Sequence, residues 1–165
     1  RAIACFERSL LSGNSPYDQY IKNNNTNAMT DAQIRGMNLF FSDRTNCSTC
    51  HSGFNFTNYA FENNGLYIQY ADIGRMRLTL KEEDMALFKV PGLRNIEMTG
   101  PYMHDGSIQT LQQVIDHYQS GGMDHPHKNP ILKPLDLTTP EQKDLIEFLK
   151  ALTDDTFLTN PIFKY

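Results

Sequence analysis

The sequence predicts an all-α fold. Apolar residues recur at helical spacing in several separate stretches, a threonine stands three residues before a glutamine at two helix starts, and no stretch alternates like a strand above chance. The length of 165 residues fits one domain, or one domain with an arm. We expect a helical arm over residues 1–29 that packs on a domain over residues 30–165.

The composition excludes several classes of protein. A net charge of −4 argues against a nucleic-acid partner, which requires a concentrated basic face. No apolar stretch approaches the roughly 18 to 20 residues of a membrane span. Three cysteines are too few for a disulfide framework. The hydrophobic fraction of 39% is low for a self-sufficient core, which suggests that a bound group completes it.

The first predicted helix lies at the start of the chain. Ile3, Phe6 and Leu10 recur at helical spacing, and Gly13 is expected to end the helix. Cys5 lies beside this apolar stripe, where we expect a small core residue. The chain opens without an initiator methionine or a signal peptide, which we interpret as the processed end of a longer precursor.

A short helix over residues 17–21 is expected next, followed by a helix that begins at the capping box of Thr30 and Gln33. The predicted buried stripe of this helix consists of Ile34, Met37 and Phe41. Gly36 lies inside it, although a glycine there costs about 1 kcal/mol relative to alanine. We infer that another helix approaches closely at this point.

Two more helices are predicted near the end of the chain. A second capping box, at Thr110 and Gln113, begins a helix that ends at Gly121-Gly122, with an apolar face of Leu111, Val114, Ile115 and Tyr118. Thr139 is expected to cap the last helix, with Pro140 in its first turn. Its predicted buried stripe is Leu145, Ile146, Phe148, Leu149 and Leu152.

The segment between the helices, residues 47–108, has poor periodicity and many turn residues. Loops of this length usually wrap a ligand or lack order. The segment is rich in large apolar side chains, which favours wrapping: Phe54, Phe56, Phe61, Leu66, Phe88, Val90 and Leu93.

A cysteine motif at the start of this segment indicates what is wrapped. Cys47 and Cys50 are two residues apart and His51 follows, which is the Cys-x-x-Cys-His pattern of covalent c-type haem attachment. Two thiols at this spacing form thioethers with one haem, and the histidine ligates the iron. A redox dithiol would need a βαβ context. A structural zinc would need a second ligand pair, which His125 and His127 could supply only at an unusual spacing.

The surrounding residues resemble the second haem domain of bacterial di-haem cytochrome c peroxidases, a family that also includes MauG. The similarity covers nearly the whole chain and is carried by residues 36–41, 47–51, 53–57, 72–75 and 88–95, and most specifically by Thr99-Gly100-Pro101-Tyr102-Met103-His104-Asp105-Gly106. The resemblance implies a cytochrome c-like fold with a long haem-wrapping loop and an extra N-terminal helical arm.

The resemblance also implies a function. In this family the domain passes electrons to a second haem domain, where hydrogen peroxide is reduced. Only one Cys-x-x-Cys-His is present here, so the chain resembles the electron-transfer half, with one covalent haem c and no activity alone. The implied partners are the second haem domain of the same precursor, a small donor of the cytochrome c or cupredoxin type, peroxide, and a second copy in a homodimer. Haem attachment outside the cytoplasm implies a periplasmic protein, with or without a membrane anchor.

The resemblance names further site residues. A calcium ion held partly by backbone carbonyls is implied at Thr99 and Pro101. The distal iron ligand has three candidates: Tyr118, which has the register of the ligand in MauG, and Met103 and Met123. A phenolate favours the ferric state, whereas a thioether favours the ferrous state and raises the potential. Plain core packing is the alternative for both Tyr118 and Met103.

The remaining polar candidates have less specific roles. The resemblance implies that His104 lies near the haem and hydrogen-bonds a propionate or a backbone group. Arg94, together with Arg75 and Arg77, lies in the wrapping segment, where a guanidinium either pairs with a propionate or is solvated. His117, His125 and His127 are expected at the surface.

Two functional alternatives stay open at this point. A free-standing monohaem cytochrome c would carry electrons without being part of an enzyme, and half of a MauG-like oxidase would modify a protein. A third, non-haem alternative is a structural or zinc-binding module.

Overall fold

The computed structural model describes residues 1–163 and shows a helix-rich chain with little strand. The α-helices of this part of the chain are α1 (Ala2–Ser9), α2 (Pro16–Lys22), α3 (Asp31–Phe40), α4 (Cys47–Cys50), α5 (Met76–Thr79), α6 (Leu111–Ser120), α7 (Thr139–Lys150) and α8 (Asp155–Leu158). Single 3₁₀ turns cover Glu82–Asp84, Ile96–Met98 and Pro161–Phe163.

One small sheet departs from the expected absence of strands. Strand β1 (Phe61–Glu62) pairs in antiparallel fashion with β2 (Phe88–Lys89). Each strand has two residues, which is too short for an alternating pattern to stand out in the sequence.

Helices α3 and α7 form the centre of the fold. A Cβ built on Gly36 would overlap the carbonyl oxygen of Asp144 and lie 2.9 Å from the Cβ of Phe148. The predicted close approach of a second helix is thus confirmed. Phe40 and Phe148 are buried in this interface, with ring centroids 5.1 Å apart.

The close approach at Gly36 also changes which face of α3 is buried. Gly36 and Phe40 are buried, whereas Phe41, which was expected in the buried stripe, is 44% exposed. The line through Gly36 and Phe40 faces α7 because positions four residues apart lie on one side of a helix. Ile34 and Met37 pack at the margin of the core.

The two predicted capping boxes are present, whereas the cap of α7 differs from the prediction by one residue. Thr30 and Thr110 cap α3 and α6 as predicted, and α6 ends at Gly121 in the left-handed conformation. The cap of α7 is Thr138, not Thr139, because Thr138 is the residue that forms the capping box with Glu141.

The first 29 residues contain two helices with different surroundings. Helix α1 buries none of its residues: Ile3 is 75% exposed, and Cys5 is exposed, so the expectation that Cys5 is a core residue was wrong. The helix ends at Ser9, before Gly13. Helix α2 instead places the ring of Tyr17 against Phe56 and Phe148 in the core.

Residues 46–108 are held mainly by turns and isolated hydrogen bonds. Phe56, Leu66, Val90 and Leu93 are buried as expected for apolar residues of this segment, whereas Phe54 is 46% exposed and Phe61 is 38% exposed. No helix within residues 1–163 combines the length and apolarity needed to cross a membrane.

Candidate haem-binding site

The two cysteines of the motif lie on one helical turn. Helix α4 spans Cys47–Cys50, and the backbone N–H of His51 donates to the carbonyl of Cys47 at 2.9 Å. Asn46 precedes the turn in the left-handed conformation, and the buried hydroxyl of Thr45 donates to the carbonyl of Leu39 at the end of α3. The turn is therefore fixed directly to the helical core.

The imidazole of His51 has a defined tautomer. Its Nδ1 lies 3.0 Å from the carbonyl oxygen of Phe56, and because a carbonyl only accepts, Nδ1 carries the hydrogen. Nε2 is then left with the lone pair that binds a metal. Burial lowers the pKa of His51 although the carbonyls of Phe56 and Pro91 oppose this effect. The ring is thus neutral near pH 7, as ligation requires.

The thiols are suited to covalent attachment more than to the alternatives. Burial raises the pKa of both Cys47 and Cys50, so neither is a stabilised thiolate of the kind a redox dithiol needs. Within residues 1–163, no group of three or more histidine, cysteine, aspartate or glutamate side chains is arranged to hold a metal ion. A four-ligand zinc site therefore lacks its second half.

Tyr118, the first distal candidate, lies near the end of α6. It is half-buried on α6, and burial raises its pKa, an effect that the side chain of Asn64 partly offsets. Negative charge on Cys47, Cys50 or Tyr70 would raise this pKa further. Ligation of the iron by Tyr118 stays a prediction.

The two methionine candidates are placed differently. Met103 is half-buried and its Sδ accepts a hydrogen bond from the side-chain amide of Asn64 at 3.2 Å. Met123 is 50% exposed, and its backbone N–H donates to the carbonyl of Gly65 at 2.7 Å. Met123 is thus held at the surface by its backbone.

The polar candidates make contacts within the protein. His104 is exposed and stacks on Phe88 with ring centroids 3.8 Å apart. The buried guanidinium of Arg94 binds both carboxylate oxygens of Asp18, and its Nε donates to the carbonyl of Phe54 at 2.8 Å. These contacts favour a structural role for Arg94 over a role at a propionate. Arg75 and Arg77 pair with carboxylates at 3.3 Å and 3.2 Å, respectively.

Three histidines were expected at the surface, but each is half-buried. Nε2 of His117 lies 3.0 Å from the carbonyl oxygen of Asn64, and Nδ1 of His125 accepts from the backbone N–H of His127 at 3.1 Å. The His117 bond joins α6 to the segment that follows the haem motif, whereas the His125 bond is local. They escaped the sequence analysis because their partners are backbone atoms.

Thr99 and Pro101, which the resemblance assigns to calcium, are both exposed. They flank Gly100, and the peptide bond before Pro101 is cis. Calcium ligation through these backbone carbonyls stays a prediction.

The residues present fit a covalently bound haem. Cys47 and Cys50 supply two half-buried thiols on one turn, and Nε2 of His51 supplies the lone pair. Sequence reasoning missed Asn64, whose side-chain amide donates to Sδ of Met103. Its only signal was a place in the turn-like run Asn63-Asn64-Gly65.

Comparison with known proteins identifies relatives across most of the chain, although no protein-family model matches it. The chain is 37% identical over 153 residues to methylamine utilization protein MauG of Methylorubrum extorquens, covering 92% of this chain and 42% of that protein. It is 40% identical over 121 residues to cytochrome c peroxidase Ccp of Escherichia coli, covering 69% and 25%, respectively. The chain thus spans less than half the length of these relatives.

Solved structures give the same picture. A MauG-like protein associated with microbial copper homeostasis has a TM-score of 0.89 and 35% identity, covering 98% of this chain and 58% of that one. The diheme peroxidase BthA from Burkholderia thailandensis has a TM-score of 0.71 at 22% identity, covering 88% and 47%, and supports the fold alone. The chain therefore belongs to the family of MauG and the di-haem cytochrome c peroxidases, oxidoreductases that carry c-type haem.

Proposed function

We propose that the chain is the electron-transfer haem domain of a di-haem cytochrome c peroxidase-like oxidoreductase. It would hold one covalent haem c, take electrons from a small donor of the cytochrome c or cupredoxin type, and pass them to a second haem domain that reduces hydrogen peroxide. The observation that carries this proposal is the single Cys-x-x-Cys-His turn, with Nε2 of His51 left free by the hydrogen bond from Nδ1 to Phe56.

The chain's own residues would hold and tune the cofactor. Cys47 and Cys50 would form thioethers, and the bound haem would supply an iron that gains and loses one electron. The carbonyl of Phe56 orients the His51 ring and increases its basicity by accepting from Nδ1. Tyr118 would supply the distal oxygen.

The wider proposals follow the same family relationship. The chain would depend on the second haem domain for activity, function in the periplasm, and bind calcium through Thr99 and Pro101. Tyr118 on α6 specifically favours a second candidate function, half of a MauG-like protein-modifying oxidase, because the resemblance gives the MauG ligand this position. A free-standing monohaem carrier remains the alternative outside the enzyme class.

Haem attachment is tested with protein from a host that matures c-type cytochromes. We expect a red protein whose mass exceeds that of the polypeptide by one haem, with colour retained after acid-acetone extraction. A colourless protein with the mass of the bare polypeptide would overturn the proposal. The Cys47→Ser/Cys50→Ser variant, made in the same host, serves as the colourless control.

The role of the chain is tested by turnover. The full-length precursor should oxidise a reduced donor cytochrome when peroxide is added, and the isolated haem-loaded chain should not. A precursor without a second haem domain would instead identify a monohaem carrier. Modification of a protein substrate without oxidation of a small donor would identify the MauG-like alternative.

The distal ligand is tested by Tyr118→Phe. We expect an altered visible spectrum and a higher reduction potential with the haem still attached, because the two thioethers do not depend on Tyr118. Tyr20→Phe, which changes a half-buried tyrosine of α2, is the matched control and should leave the spectrum unchanged. An unchanged spectrum in Tyr118→Phe would exclude ligation by this residue.

A further inference from the structure

We propose that Asn64 is a positioning residue that restrains the thioether of Met103 and so leaves the distal side of the iron to the oxygen of Tyr118. This inference rests on the proposed function, since it concerns the haem of this chain. It specifies which of two distal candidates, Met103 or Tyr118, would bind the iron, a choice that the sequence leaves open.

The side-chain amide of Asn64 has a fixed orientation. Its Oδ1 accepts a hydrogen bond from the backbone N–H of Leu66 at 3.2 Å, so the NH₂ group points the other way. The carbonyl of Asn64 lies 3.0 Å from Nε2 of His117, which ties its backbone to α6 one residue before Tyr118. Asn64 thus links the segment that follows the haem motif to α6, the helix that carries Tyr118.

Met103 is restrained by this amide and by its own backbone. Nδ2 of Asn64 donates to its Sδ at 3.2 Å, and this hydrogen bond engages one of the two sulfur lone pairs and fixes the position of the thioether. The backbone of Met103 is left-handed, with φ of 71°, which a side chain of this size adopts only where its surroundings impose it. Met103 also packs against the buried cluster of Leu66, Tyr70 and Ala86.

Restraint of the Met103 sulfur leaves the distal side of the iron to Tyr118. Tyr118 follows His117 on α6, so the bond between His117 and the carbonyl of Asn64 holds α6 against the same residue that restrains Met103.

The test uses Asn64→Asp, which keeps the acceptor for Leu66 and removes the donor for Met103. We expect the haem-loaded variant to lose the tyrosinate signature in its visible and electron paramagnetic resonance spectra. It should gain the signature of a thioether ligand, and its reduction potential should shift upward. Asn64→Ala should shift the spectrum in the same direction, and provides a second variant if the carboxylate impairs folding.

The control removes the Met103 thioether, which is the competing ligand. Asn64→Asp combined with Met103→Leu should lack the thioether signature, whereas Met103→Leu alone should resemble the wild type. A wild-type spectrum in both Asn64 variants would overturn the proposal, and so would a thioether ligand in the wild type or a spectral change that Met103→Leu does not alter. A protein that carries no haem would instead refute the proposed function, which mass and colour establish before any ligand is assigned.

Discussion

The helical core of this chain and the segment over residues 46–108, which begins at the haem motif, are stabilised in different ways. Helices α3 and α7 meet at Gly36 and bury Phe40 and Phe148 with regular backbone throughout. The segment from residue 46 to residue 108 contains most of the non-glycine residues with positive φ that the described structure shows: Asn46, Phe56, Tyr59, Leu80, Ala86, Asn95 and Met103, with Asn24 outside it.

This difference shows where stability comes from in each region. Left-handed backbone costs about 1 to 2 kcal/mol for a residue with a Cβ, so such conformations persist only where other contacts impose them. The core is stabilised by buried apolar surface. The segment relies on individual hydrogen bonds and, in our proposal, on the haem that it surrounds.

The strongest way to break the segment is to remove its covalent attachment. We expect Cys47→Ala together with Cys50→Ala to leave a mostly unfolded apoprotein, because residues 53–108 would lose the group on which they pack. Circular dichroism and thermal unfolding would measure this loss. Cys5→Ala is the matched control, since the Cys5 side chain is exposed on α1 and its removal should change neither signal. A compact, helical double variant would contradict the dependence on haem.

The next largest effect concerns the ion pair that joins the segment to α2. Asp18 is 2% exposed, and it binds the guanidinium of Arg94. Arg94→Met would leave a buried carboxylate without its main partner, which costs about 3 to 5 kcal/mol. We expect this loss in the free energy of unfolding, measured in urea.

An exposed ion pair provides the control for Arg94. Arg35 donates two hydrogen bonds to Asp144, but its side chain is 60% exposed. Arg35→Met should cost no more than about 1 kcal/mol because water screens such pairs. Equal losses in the two variants would show that burial does not distinguish the two pairs.

The sequence predicted the core better than the segment for a physical reason. Helix starts are local, so Thr30 and Thr110 were identified from the residue three positions later. Gly36 indicated a helix contact because glycine in a helix interior is unfavourable on its own. The error at Thr139 was one residue, since two adjacent threonines offer the same local signal.

In the segment from residue 46 to residue 108, the sequence predicted only those features that depend on the type of side chain. Cys47, Cys50 and His51 were identified from their spacing, and the structure adds a backbone acceptor for Nδ1 of His51. The acceptor for His51 is the backbone carbonyl of Phe56, and a backbone atom leaves no trace in the sequence. The partnership of Asp18 with Arg94 joins residues 76 positions apart, which periodicity cannot detect.

A change at Gly36 tests the helical core directly. Gly36→Val would place atoms on the Asp144 carbonyl and the Cβ of Phe148, so the helices would have to separate. We expect a loss of about 3 kcal/mol in the free energy of unfolding, the upper end of typical overpacking. Asn38→Val introduces the same side chain on the exposed face of α3 and should change stability by less than about 1 kcal/mol. Similar losses at both positions would mean that the helix contact is not tight.

The smallest expected effect is the pH dependence of the ion pair between Asp18 of α2 and Arg94 of the segment. Burial alone would raise the pKa of Asp18, but hydrogen bonds from Arg94, Ser15 and Lys22 lower it from 3.8 to about 2. A carboxyl whose pKa is lower in the folded state stabilises the fold above its unfolded pKa and loses this contribution as the pH falls through the folded value. The contribution is about 2 kcal/mol, and it should disappear between about pH 5 and pH 2.

Asp18→Asn isolates this contribution from that of other acidic groups. The difference in unfolding free energy between wild type and Asp18→Asn, measured in urea at each pH, should be constant above pH 5 and shrink by about 2 kcal/mol towards pH 2. A difference that does not vary with pH would mean that Asp18 keeps an ordinary pKa. The pair of Asp18 and Arg94 would then stabilise the segment through the geometry of its hydrogen bonds and not through its charge. Its difference from the exposed pair of Arg35 and Asp144 would result from packing alone.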